Sequence, residues 1–417
     1  MKTNKLWTRN FRLVILASGM GTLGTIAGSF ALSFLVFDET GSTLASALII
    51  AIQLLPYLLL PVLVAPFMDR LPRKSFLVAG DAANAVLIAG MGLWLLNFNF
   101  SYVGYLALSL MLACLGAIDE LAFTSIYPEL IPQGAEQKGY AVSSMLYPVL
   151  KVIMTPLAAV LLDTLGVAWI LIAQSGFSLA AAVTESFIRI DETAREHREP
   201  YSFAAWIGDI REAARYLKKE RGLRSLYEYM AVTNGIANGF SPILVAFFRT
   251  FPGFTAAMYS AFSVVEFIGR TIGSALQYRV NIPDKKRFGF TFFVYQFYEV
   301  MDMCLLWLPY PLMLLNRGIC GFLGSNSAIL RSSAVQRYIP EKLRSRVNAA
   351  ISVLITAGDS VFSLLMGFLG ELFDYRLCVT IGGGIAMLTC WLLIWGRRTD
   401  VRKVYEAGAA SDCAAAE

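Results

Sequence analysis

Residues 65–76 read APFMDRLPRKSF, one acid and three bases wedged between two long apolar runs. The run before it covers 43–66 and the run after it 75–96. Each is long enough to span a bilayer as a helix, which takes roughly 20 residues. The charged stretch is therefore a short connection between two membrane spans, held at the water boundary.

The same pattern recurs along the chain of 417 residues, of which 57% are hydrophobic and 16% charged. That charge content is low for a soluble protein of this length. In lipid every backbone N–H and C=O must find a partner within its own segment, so repeated apolar blocks mean helices. A membrane barrel would instead alternate polar and apolar residues over about ten positions, and no such alternation occurs. Twelve spans are expected: 11–37, 43–66, 75–96, 101–127, 139–163, 167–190, 224–249, 254–278, 288–308, 311–334, 346–370 and 376–396. The first is too long for a signal-peptide core and is read as a span. Six cysteines without paired spacing argue against a disulfide framework or a zinc site.

Charge sets the expected orientation. Basic residues near span ends stay on the cytoplasmic side. With the N-terminus inside, thirty of the 35 Lys and Arg fall on cytoplasmic segments, and only Arg249 and Arg376 fall outside. Lys151, Arg270 and Arg317 lie within spans. Both termini are expected in the cytoplasm. The net charge of +5 is a topology signal, and its scatter over seven segments argues against nucleic acid as a partner.

Six spans, a polar connection and six more spans suggest duplication. The expected organisation is a bundle over 1–190, a linker over 191–223, a second bundle over 224–396 and a cytoplasmic tail over 397–417. IPQGAEQKGYAVSSML (131–146) aligns with IPEKLRSRVNAAISVL (339–354) at an offset of 208, about half the chain. Within the linker, FAAWIGDIREAARYLKKE (203–220) has Phe203, Trp206, Ile207, Ile210, Ala214 and Leu217 at helical spacing. That helix either lies on the inner membrane surface or packs against the bundle's cytoplasmic face.

Twelve spans in two halves, with this charged loop after span two, resemble the major facilitator superfamily. The family's loop signature is Gly-x-x-x-Asp-Arg-x-Gly-Arg-Arg/Lys. Here Ala65, Asp69, Arg70, Pro72, Arg73 and Lys74 occupy those positions, so the charges match and both glycines are replaced. Asp81 resembles the acid that accompanies the loop. YPELIP (127–132) and VQRYIPEKLRSRV (335–347) are similar to the drug- and siderophore-exporting branch related to macrolide efflux proteins. The resemblance implies an all-α membrane protein in two pseudo-symmetric six-helix bundles. It implies a multi-pass monomer of the cell (inner) membrane, with no cofactor. It also implies a gate at Asp69, Arg70, Arg73, Lys74 and Asp81. The plainer alternative is that these bases only hold topology.

A charge at the bilayer centre costs about 2.5–3.5 kcal/mol on insertion scales, so it needs a partner or a water-filled cavity. Asp119 and Glu120 in span four are candidates to bind a cation or carry a proton. Adjacent helical residues point about 100° apart, so one of the two is expected to face the cavity. Asn234, Asn238, Arg317 and Asn326 are further cavity candidates, with Ser18, Thr22, Thr25 and Ser29 on span one. Lys151 and Asp359 are separated by the repeat offset. Lys151 and Glu266 have matching depths, which suggests an ion pair between halves; the rival is a Glu266–Arg270 pair along one helix. Glu299 and Asp302 share a face of span nine and are expected to pair locally or with Arg317. His197 lies in the linker, so a proton carrier within the membrane would have to be a carboxylate.

The expected function is secondary active transport, exporting a small amphiphilic or drug-like molecule with proton antiport. The alternatives are lipid or lysolipid flipping and nutrient import on the same fold. No phosphate loop, zinc-binding helix or nucleophile–histidine pair occurs, so no enzyme activity is expected.

Overall fold

A computed structural model describes residues 6–68, 73–132, 136–189, 203–279 and 282–414. Among them the chain is helical throughout, with no strand. The helices are α1 (Arg9–Thr40), α2 (Thr43–Met68), α3 (Arg73–Asn97), α4 (Tyr102–Leu130), α5 (Glu136–Leu165), α6 (Val167–Ser186), α7 (Phe203–Lys219), α8 (Arg221–Thr250), α9 (Ala256–Arg279), α10 (Asp284–Cys304), α11 (Tyr310–Tyr338), α12 (Glu341–Leu372), α13 (Tyr375–Thr389) and α14 (Arg398–Ala414). Each of the twelve expected spans overlaps one of these helices; the span expected over 376–396 is α13 continued by a π-helical turn, Cys390–Trp395. Among the described residues, eight helices meet a length and composition requirement for crossing a bilayer outright, and α2, α9, α10 and α11 fall short of it.

The chain divides into two compact units, residues 1–41 with 52–203, and residues 42–51 with 204–417. The first turns of α2 thus belong to the second unit.

In the first unit, Thr8 caps α1 by accepting the Phe11 N–H at 3.2 Å. Gly41 closes it with φ 64°, a left-handed conformation that costs glycine little. Helices in lipid gain nothing from hiding apolar surface and must instead approach closely. Gly28 of α1 does this against Gln174 of α6, where an added Cβ would fall 1.7 Å from the Gln174 Oε1. Tyr127, in the YPELIP stretch, donates to the Gly139 carbonyl at 2.6 Å and ties α4 to α5.

In the second unit the same device joins α9 to α11. A Cβ on Gly269 would lie 2.0 Å from the Gly318 carbonyl oxygen, and one on Gly321 2.2 Å from that of Glu266. Arg317 of α11 donates to Asp302 of α10 at 2.7 Å, both side chains buried. Glu299 accepts from the buried Tyr229 hydroxyl at 3.1 Å. Glu371, at the end of α12, accepts from Ser42 Oγ at 2.7 Å, Thr43 Oγ1 at 3.2 Å and the Leu44 N–H at 3.0 Å, and so caps α2.

Two segments add to what was expected. The linker helix exists as α7, and its end packs inward. Leu217 is buried with Leu223, Leu226, Val401 and Val404, while Ile207 is exposed. Residues 191–202 of the linker lie outside the described residues. The stretch after 397, expected as a tail, forms α14 and docks on the bundle. Val401, Val404 and Tyr405 are fully buried, and the Tyr405 and Tyr295 hydroxyls are 3.1 Å apart. These three residues recur at i, i+3 and i+4, a stripe narrow enough to read as polar sequence yet wide enough to pack.

Candidate functional site

The first unit holds a cavity of about 500 Å³ among α1 to α6. One wall is hydroxyl-rich: Ser18, Thr22, Thr25 and Ser29 recur on one face of α1. Another is aromatic and apolar, with Tyr57, Phe123, Leu146 and Tyr147. Gly116 leaves room for the Tyr57 ring, since a Cβ there would meet its hydroxyl at 2.5 Å. Tyr105 and Ser109 of α4 and Asn84 of α3 add further hydrogen-bonding groups.

The charged lining consists of acids: Asp81 on α3, Asp119 and Glu120 on α4, and Glu185 on α6. No Lys, Arg or His is among the described residues that line it. Asp119 leans toward α3, its Oδ1 3.4 Å from where a Cβ on Gly80 would be. That oxygen is buried without a hydrogen-bond partner, as are Glu185 Oε2 and Gln174 Oε1. Glu185 is 3% exposed and Gln174 9%. Such groups normally find partners inside a protein, and leaving them unmet costs about 1–3 kcal/mol each. Gln174 Oε1 lies in the seam between α1 and α6, against Gly28.

The expectation that one of Asp119 and Glu120 faces the cavity is corrected: both line it. Asp119 lies toward Gly80 of α3, and Glu120 is exposed.

Asp81, expected beside the charged loop, lines the same chamber. Lys74 donates to the Ser186 carbonyl at 2.6 Å. Arg73 begins α3, and Asp69 and Arg70 lie outside the described residues.

The other candidates are placed elsewhere. Arg317 is engaged by Asp302 in the core of the second unit. Asn326 is buried and donates to the Phe322 carbonyl of its own helix at 2.7 Å. Both groups are spent on structure rather than presented to a chamber. Asn234 and Asn238 lie on an exposed face of α8. Glu266 is bonded by Arg270 one turn on, at 2.7 Å. Lys151 sits 5.7 Å from the centre of the Tyr147 ring, within cation–π range. Asp359 has one carboxylate oxygen buried without a partner.

Gln174 and Glu185 are among the lining residues that the sequence did not single out. Gln174 and Glu185 are joined by Ser178 on one face of α6, at separations of four and seven in an otherwise apolar helix. That spacing was a signal available in the sequence. Glu185 was obscured because an acid near a span end also reads as an interfacial residue.

A family profile described as Major Facilitator Superfamily matches residues 13–297 and 300–412. An uncharacterized MFS-type transporter, YvqJ of Bacillus subtilis (strain 168), is 20% identical over 425 residues, 98% of this chain and 98% of its own. Among solved structures, the nucleoside transporter NupG matches with a TM-score of 0.70 at 11% identity, over 93% of this chain and 98% of its own. A bacterial homolog to the human lysosomal transporter Spinster, inward-facing and unoccupied, matches with a TM-score of 0.65 at 14% identity, over 98% and 96%. The structural likenesses carry the fold, and the profile carries the family. Membrane transport, not enzymatic catalysis, is what that family performs. With its profile matched along nearly the whole length, the chain belongs to the Major Facilitator Superfamily.

Proposed function

We propose that this chain is a secondary active transporter that exports a small cationic amphiphile in exchange for protons. In this reading it sits in the cell membrane with both termini in the cytoplasm and works by alternating access. The cavity of the first unit is its binding chamber, and Asp119 and Glu120 are its principal charged groups.

The observation that carries the reading is the acid-only lining. A carboxylate in a low-dielectric chamber is costly when ionised and unpaired. It is neutralised by a proton or by a cation on the cargo, and either occupant excludes the other. Exchange then follows from charge balance at one place. The aromatic and apolar wall takes the rest of an amphiphile, as ligand pockets of this size commonly do. The hydroxyls of α1 accept or donate without demanding a fixed partner.

The test is flux in proteoliposomes carrying a pH-sensitive dye, across cationic amphiphiles, antibiotics, siderophores and lysolipids. Cationic amphiphiles are expected to move protons in the opposite direction, and Asp119→Asn to uncouple or abolish that exchange. Lysolipid movement without any pH change would replace this reading with lipid translocation. Proton-independent uptake of a nutrient would replace it with import.

A further inference from the structure

We propose that Glu299 is a proton-binding site within the second unit, taking up and releasing a proton beside the Asp302–Arg317 ion pair. That site shares no residue with the chamber of the first unit.

The helix α10 carries a buried polar stripe. Thr291, Tyr295, Glu299 and Asp302 follow one another at separations of four, four and three, and are 1%, 5%, 5% and 4% exposed. Asp302 has its cation, bonded by Arg317 at 2.7 Å. Glu299, one turn earlier, has none. Among the described residues its side chain is bonded by the Tyr229 hydroxyl alone, at 3.1 Å. Facing it are Tyr229 of α8, Asp302 of its own helix, Cys320 of α11 and Cys390 after α13. Arg317 of α11 and Glu266 of α9 stand beyond Asp302. A buried carboxylate with no bonded cation is neutralised by a proton.

Two observations make that proton exchangeable. The Arg317 Nε–H is buried without an acceptor, so the guanidinium that holds Asp302 keeps one donor in reserve. On the other side, the Tyr229 ring lies 5.0 Å from that of Tyr295. Arg331 of α11 donates to the Tyr295 hydroxyl at 3.4 Å and bonds no carboxylate among the described residues. An ionised Glu299 therefore has a positive charge beyond the two phenols. The Tyr295 hydroxyl also meets that of Tyr405 on α14 at 3.1 Å, and Arg402 and Lys403 of α14 are exposed. Phenol hydroxyls both donate and accept, which suits this series to carry a proton toward α14. The site further adjoins the π-helical turn Cys390–Trp395, an irregularity frequent at functional positions. Trp391 of that turn donates to Gln296, one turn before Glu299, at 2.6 Å.

The test is infrared difference spectroscopy of the full-length protein in detergent as the pH is raised, with circular dichroism reporting the fold. The wild-type protein is expected to lose a protonated-carboxyl band that Glu299→Gln lacks. The glutamine keeps an acceptor for Tyr229. Tyr229→Phe, which removes the hydrogen bond, is expected to shift the same band and leave it titrating. A Glu299 band that persists at every pH at which the protein stays folded would overturn the proposal, because its proton is then fixed. The complete set of wild-type bands in Glu299→Gln would overturn it too. Should that variant not fold, a Tyr229→Phe protein with no shifted band would do the same. Neither cargo nor a residue of the first unit enters the measurement, so failure of the transport reading leaves its outcome standing.

Discussion

Asp302 accepts a 2.7 Å hydrogen bond from Arg317, with the two side chains 5% and 10% exposed. A buried pair of this kind is matched in charge, and removing one partner strands the other. Arg317→Met alone is expected to cost about 3–5 kcal/mol, read as a lowered unfolding transition in detergent. The double variant Arg317→Met with Asp302→Leu should recover most of the loss, because no charge is then left in the core. An equal loss in the double variant would show that the pair does more than satisfy itself.

Gly28 and Gln174 give a sharper packing test. A methyl on Gly28 would collide with the Gln174 amide. Gly28→Ala should destabilise by about 1–3 kcal/mol, the usual range for overpacking. Adding Gln174→Ala removes the obstacle and should restore the transition. The cycle is additive only if the two side chains do not touch.

The docking of α14 predicts two graded outcomes. Tyr405→Phe removes the hydroxyl that meets the Tyr295 hydroxyl, and should cost about 0.5–1.5 kcal/mol. Tyr405→Ala also empties a fully buried site and should cost about 3–5 kcal/mol. Protease sensitivity around Arg402 and Lys403, which are exposed on the same helix, would rise in step with the loss of packing.

Glu371 caps α2 through Ser42, Thr43 and Leu44. Glu371→Ala removes three accepted hydrogen bonds and a negative charge at a helix N-terminus. The expected cost is about 1 kcal/mol. Glu371→Gln should fall between, since it keeps an acceptor and loses the charge. Labelling of a Ser42→Cys probe should become faster in both variants.

Much of the architecture was readable before any coordinates, and particular residues show why. The spans were visible because a bilayer demands some twenty apolar residues at a time, which no nearby signal imitates. Asp119 and Glu120 stood out because charge inside such a run is rare. Arg317 stood out for the same reason, and its pairing with an acid of span nine was among the expectations, beside a place in a cavity; Asp302 is the partner it takes. Gln174 carries no charge and drew no notice, although its place on α6 decides how closely α1 approaches. The helix α14 was hidden because its composition is polar, and three apolar side chains at one helical face are enough to dock it. The chamber itself is a property of six helices together, so no single stretch announces it.

The contact of α9 with α11 has a mechanical meaning. At Gly269 and Gly321 one main chain rests on the other, with no rotatable side chain between them to compress or slide. The two helices therefore behave as a single plank. Spin labels placed on opposite ends of that plank should hold a constant separation throughout a working cycle, which makes the pair a fixed ruler against which any other displacement in the same unit can be gauged.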